Sequence, residues 1–133
     1  MNSGFSFEYH HYGPYSEDLA DAIEDDIIFG DVEKEQRRRV SDGVAYIVYR
    51  SSSKKKEQRS STFSQPNVQS AIQEMNRQSM TVLELAATIH WLAFKEKVSN
   101  WRKELSRRKG VKTGDGREEL AIELLRQLKL APP

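Results

Sequence analysis

Tyr9-His10-His11-Tyr12-Gly13-Pro14-Tyr15-Ser16 decides how the rest of the chain is read. Pro14 fixes its own φ and steers Gly13 away from the α region, so an extended Tyr9–Tyr12 segment is expected to turn at Gly13-Pro14. Ser16 is placed to accept from the free amide hydrogens of a first helical turn. Glu17 and Asp18 then lie beside the positive end of the helix dipole. The stretch predicts a strand, a stiff corner and a helix. Upstream, Phe5, Phe7 and Tyr9 alternate with Ser6, Glu8 and His10, the period of a half-buried strand.

Downstream of the corner, Leu19, Ala22, Ile23 and Ile27 fall on one face of a helix from Ser16 to about Phe29, with Glu17, Asp21, Glu24 and Asp25 largely outside it. Gly30 is the expected C-cap. The carboxylates of Glu24, Asp25 and Asp26 sit near the negative end of the dipole, each unfavourable by about 0.3–1 kcal/mol, and a basic neighbour or partner would relieve them. Residues 32–49 read as a hairpin: Ser41-Asp42-Gly43 is a turn signal and Val44–Tyr49 suits a strand. Its polar first strand carries Lys34, Arg37, Arg38 and Arg39, an edge protected by charge. The Ser51–Ser61 tract has no apolar residue, which reads as a mobile basic linker.

The second half is helical. Asn67 opens a helix using Val68, Ala71, Ile72 and Met75, and Ser79 caps the next. From Met80 to Glu96, Val82, Leu85, Ala86, Ile89 and Ala93 form one stripe and Leu83, Ala87, Trp91 and Phe94 another, the pattern of a central helix covered on a wide surface. Ser99 is the expected cap of a third helix, with Trp101 and Leu105 inward and Arg102, Lys103, Arg107, Arg108 and Lys109 outward. Glycines at 110, 114 and 116 mark a loop, and the last helix is expected to pack Leu120, Ala121, Leu124, Leu125 and Leu128.

With 133 residues, 37% of them hydrophobic, the chain suits one domain with a small core: residues 1–50, a linker at 51–65 and a helical layer at 66–133. No apolar run approaches the ~20 residues of a membrane span. The absence of cysteine rules out disulfides and thiolate metal sites and suits a cytoplasmic protein. Charge is polarised: residues 1–33 hold nine of the 20 acidic residues and no Lys or Arg, leaving the remainder at net +10. The two parts are set to attract each other or to offer surfaces of opposite sign.

No motif specifies an active site, a cofactor or a metal. His10 and His11 are strand neighbours that point to opposite faces, and His90 lies in the apolar central helix, where a hydrogen-bonded core histidine is expected. Asp21 and Asp25 are spaced to face one way, yet no phosphate-binding glycine loop or nucleophile motif accompanies them. The basic stretches are stronger signals. A helix followed by a basic hairpin is the layout of a winged helix, although the preceding helix is acidic and would repel DNA.

The Tyr9–Leu19 segment, Y-H-H-Y-G-P-Y-S-E-D-L, resembles the Panacea, or SocA-like, antitoxin domain and its YwgA-like bacterial relatives. The hairpin, Leu83–Leu92 (L-E-L-A-A-T-I-H-W-L) and the Lys109–Leu128 loop-helix pattern are similar as well, so the resemblance covers nearly the whole chain. Members usually begin with a further helix of the K-L-Q-K-L-L-Y kind. None precedes Phe5, and the resemblance implies a shortened member whose uncovered apolar surface a partner or second copy would shield. It also implies neutralisation of a toxin by direct binding, or presentation of one to a protease, and brings no catalytic residue.

The expectation is therefore an α+β fold, mainly α, with a small antiparallel sheet packed on four to five helices. The function expected is protein binding, non-enzymatic, with Tyr12, Tyr15, Glu17, Asp21 and Glu24 as partner-binding residues and a toxin encoded nearby as the partner. A second copy of the chain is a further candidate partner. The alternative is a winged-helix-like nucleic-acid binder contacting phosphates through Arg37, Arg38 and Arg39. A hydrolase built on His10 or His11 and the acidic helix ranks third.

Overall fold

The computed structural model describes residues 4–52 and 65–133; all but the first two residues of the Ser51–Ser61 tract fall outside them. The fold is α+β and mainly helical, with five α-helices and two separate two-stranded antiparallel sheets among the described residues. The described residues form two compact units: 4–7 with 16–52, and 8–15 with 65–133.

In the first unit, α1 (Glu17–Ile28) starts as its sequence requires: the Ser16 hydroxyl accepts from the Leu19 amide at 3.2 Å. Leu19, Ala22, Ile23 and Ile27 make a half-buried face and no helix residue is fully buried. The Phe29 amide donates to the Asp25 carbonyl at 2.9 Å, and Gly30 follows at φ +79°, a left-handed turn that only glycine makes without strain. β3 (Val32–Arg38) and β4 (Ala45–Ser51) pair from Val32↔Ser51 to Arg38↔Ala45. Asp42 closes the turn by accepting from the Val44 amide at 3.0 Å. α1 packs against β3, and Glu24 accepts from Lys34 at 3.2 Å.

The second unit begins with a hairpin that the sequence reading misplaced. β1 (Glu8–His10) pairs with β2 (Gly13–Tyr15) in the register Glu8↔Tyr15, Tyr9↔Pro14, His10↔Gly13. The reversal falls at His11-Tyr12 and Gly13-Pro14 is strand, not corner. Gly13 adopts φ +110° and its Cα faces α3 so closely that an added Cβ would lie 3.3 Å from Thr88 Oγ1. Pro14 sits in a short edge strand, where its missing donor is tolerated. This hairpin packs on the helical layer of its unit, through β2 against α3.

Four helices follow: α2 (Pro66–Asn76), α3 (Met80–His90), α4 (Trp101–Lys109) and α5 (Arg117–Gln127). Pro66 occupies the first turn of α2, where no amide hydrogen is needed. Ser79 caps α3 by accepting from Val82 at 3.3 Å. α4 is capped by Asn100, whose side chain accepts from the Lys103 amide at 3.2 Å, rather than by Ser99. α3 does not run on to Glu96. Trp91–Lys95 is π-helical, with the Glu96 amide donating to the Trp91 carbonyl at 3.0 Å.

Leu85, Ile89, Leu92, Leu105 and Leu124 are fully buried, each favoured by about 1.5–3 kcal/mol over an exposed position. α3 packs on α5 and α4 around them. The stripe of Val82, Leu85, Ala86 and Ile89 is buried as its spacing predicts, but Ala87 and Phe94 of the second stripe are exposed. On α5, Ile122 is buried and Leu120 half exposed, a shift of the inward face from that read in the sequence.

Candidate functional site

The largest departure from expectation is Lys109. Assigned outward with the other cations of α4, its side chain is only 3% exposed. Its ammonium donates to the His11 carbonyl at 2.9 Å and to Glu84 Oε1 at 2.6 Å. Glu84, on α3, also accepts from Lys112 at 2.9 Å through both carboxylate oxygens. Thr88, one turn on, donates to the Glu84 carbonyl at 2.8 Å, and this hydroxyl is the one Gly13 faces. The first hairpin is thus tied to α3 and α4 by a compensated charge cluster, beside a Tyr9–Trp91 ring contact at 6.4 Å.

Two lysines on one carboxylate decide its state. Burial alone pushes Glu84 up, but the hydrogen bonds from Lys109 and Lys112 outweigh it and hold the carboxyl below the usual 4.5. Around this cluster the aromatic residues of the hairpin cover cations. The Arg108 guanidinium stands 4.7 Å from the Tyr9 ring centre, with Lys109 Nζ at 5.7 Å, and Lys112 Nζ stands 5.1 Å from that of Tyr12. Arg108 also pairs bidentately with Glu96 at 3.0 and 2.8 Å and with Glu104 at 2.7 Å. Trp91 Nε1 donates to Glu96 at 2.9 Å. Hydrogen bonds from Arg107 and Arg108 pull Glu104 down to about 2. Every carboxylate in this cluster is engaged by cations, and the arrangement positions chain segments instead of presenting a free acid or base.

The expected partner-binding residues fall into both units. Tyr15 stacks on His10 at 4.6 Å between ring centres and is 43% exposed, while Tyr12 is 73% exposed. Glu17 and Asp21 are exposed on α1; Glu24, beside them, is tied to Lys34. Two exposed apolar residues beside these carboxylates were not singled out in the sequence. Ile28 and Phe29 project from the end of the acidic helix at 77% and 74% exposure. Their position beyond the apolar stripe was the available signal.

The three arginines of the alternative reading are committed within their own hairpin. Arg37 pairs with Glu35 at 2.9 and 3.0 Å, Arg38 donates to the Gly43 carbonyl at 3.1 Å, and Arg39 lies 3.0 Å from Asp42. His90 is half-buried and tilted against Phe94 at 4.8 Å; burial pushes its imidazole below 6.5. His10 lies 3.7 Å from Glu8. Among the described residues no three His, Asp or Glu side chains gather to share a metal ion, and no helix is long and apolar enough to cross a membrane.

No family model, no curated protein and no solved structure matches the chain.

Proposed function

We propose that this chain is a non-enzymatic protein-binding domain of the antitoxin or proteolytic-adaptor kind, neutralising or presenting a basic partner by direct contact. The observation that supports this reading is the outer face of α1. Glu17, Asp18, Asp21 and Asp25 line it, its last turn holds no basic residue, and Ile28 and Phe29 stand exposed at its end. Carboxylates at a helix C-terminus are unfavourable until a cation reaches them. Two large apolar side chains beside them supply the contact area that charge alone lacks. A partner encoded next to this chain is the natural first test, and a cysteine-free sequence suits a cytoplasmic setting for both.

The experiment is co-expression with the product of the adjacent reading frame, followed by capture at low and high salt. Reversing Glu17, Asp21 and Glu24 to Lys should weaken capture, most strongly at low salt, while reversing Arg37, Arg38 and Arg39 to Glu should matter less. The nucleic-acid reading requires the opposite order, with duplex DNA binding that falls steeply with salt and disappears with the three arginines. DNA binding that survives the acidic reversals, with no capture of the neighbour, overturns the proposal.

A further inference from the structure

The hairpin of the first unit leaves two sheet edges, and they differ in kind. The Arg39 amide donates to the Val44 carbonyl at 3.0 Å and the Ser52 amide to the Asp31 carbonyl at 2.9 Å. With the Val32↔Ser51 register, these bonds fix the parity of the whole ladder. Tyr46, Val48 and Arg50 direct their backbone groups at β3, and Ala45, Ile47, Tyr49 and Ser51 direct theirs away from it. Among the described residues β4 pairs with β3 alone. It pairs without a bulge and is free of proline, and its side chains include Tyr46, Ile47 and Tyr49 at 37%, 41% and 49% exposure. Arg50 is its one charged residue.

We propose that two copies of this chain join edge to edge through β4, making one continuous antiparallel sheet from the two hairpins. Parity and length select the register. Full overlap of Ala45–Ser51 with its symmetry mate puts Val48 opposite Val48 on the two-fold axis. Ile47 then faces Tyr49, and Tyr46 faces Arg50. Ile47 and Tyr49 exchange backbone hydrogen bonds, as do Ala45 and Ser51, for about eight bonds in all. The single charge of β4 meets a tyrosine ring and never its own copy.

The other edge is guarded by its charge. β3 carries Glu33, Lys34, Glu35, Arg37 and Arg38. Its outward backbone groups belong to Val32, Lys34, Gln36 and Arg38, so full overlap of β3 with a second β3 would place Glu35 against Glu35 at the closest spacing in the ladder. The same register sets Glu33 opposite Arg37 twice, so the guard on this edge is its density of charge: five charged side chains that a flush second strand would have to desolvate. One edge is therefore guarded and the other is complementary to itself, which assigns the open edge to a second copy of this chain.

The lack of cysteine in the sequence gives a clean test. In the proposed register Val48 and its mate form a non-hydrogen-bonded pair with Cα atoms about 4.5 Å apart, within reach of a disulfide. Two copies of Tyr46 would lie about 13 Å apart. Under mild oxidation Val48→Cys should give a covalent dimer at least tenfold faster than Tyr46→Cys, and the unmodified chain should sediment as a concentration-dependent monomer–dimer mixture. Val48→Arg sets two cations on the axis while facing Glu35 within its own hairpin. It should sediment as a monomer with an unchanged circular dichroism spectrum. Equal crosslinking of the two cysteine variants, a monomer at every concentration, or a dimer that persists in Val48→Arg would overturn the proposal. So would capture of an extended foreign peptide by a chain that is otherwise monomeric.

Discussion

Lys109, the last residue of α4, donates to the main-chain oxygen of His11 at 2.9 Å, so the turn of the first hairpin is fastened by a side chain from far along the sequence. A surface lysine would contribute little there. This one is buried and satisfies a backbone acceptor and a carboxylate at once.

Replacing Lys109 by Met should therefore destabilise the protein by about 2–4 kcal/mol, because Glu84 and the His11 carbonyl both lose a partner in a partly dry site. Lys112→Met, at a side chain 40% exposed, should cost less than about 1 kcal/mol. Urea denaturation of the two variants measures the difference. Equal losses would place Lys109 among ordinary surface cations.

Gly13 should tolerate no side chain. A φ of +110° and a Cβ position 3.3 Å from Thr88 Oγ1 combine backbone strain with crowding, and Gly13→Val should cost about 2–4 kcal/mol. Gly43, at φ +70° with open space around it, isolates the strain alone, so Gly43→Ala should cost about 1 kcal/mol. Thermal melting that ranks the two equally would show that the approach to Thr88 is not tight.

Stability should fall with acid in two steps. Burial holds the His90 imidazole below its usual 6.5, so the unfolded chain binds that proton more readily and stability is lost as pH falls through 6.5 and below. Glu84, Glu96 and Glu104 are all held below 4.5, Glu104 at about 2. Their contribution is complete above 4.5 and disappears as pH drops through their folded values. Melting temperatures between pH 8 and 2 should show both steps. His90→Gln should remove the upper one and Glu84→Gln should shrink the lower.

Ile28 and Phe29 should be silent in folding and audible in binding. At their exposure, Ile28→Ser with Phe29→Ser should change stability by no more than about 0.5 kcal/mol. Capture of the co-expressed neighbour should weaken at least tenfold. A loss of stability without a loss of capture would make the pair a packing element.

Local chemistry explains which of these features could be read from the sequence. Ser16, Ser79 and the Asp42-Gly43 turn act on residues beside them, and each does in the structure what its neighbours demand. The buried stripe of Val82, Leu85, Ala86 and Ile89 follows from helical period alone. Lys109 could not be read in this way. Its role depends on Glu84 and His11, which are distant in sequence, and a lysine among Arg107 and Arg108 carries no mark of burial. The turn at His11-Tyr12 was obscured for a related reason, since Gly13-Pro14 is a strong local turn signal that the close approach to Thr88 overrides. The acidic residues of α1 were legible as charges, while the exposure of Ile28 and Phe29, which lie beyond the Leu19–Ile27 stripe, was read only from the structure.

The π-helical turn at Trp91–Lys95 makes the chain's length at that point matter more than its composition. A π turn is an α turn with one residue more than the period allows. Excising a single residue there would return the segment to a plain α-helix with its facing nearly kept, and would leave the connection to α4 one residue short. The Glu96 amide would lose its bond to the Trp91 carbonyl, and the Val98 amide, which donates to the Leu92 carbonyl at 2.9 Å, would be drawn off its acceptor. Substitutions in this segment should thus be better tolerated than a one-residue deletion, and related chains are expected to vary in letters here while keeping the count.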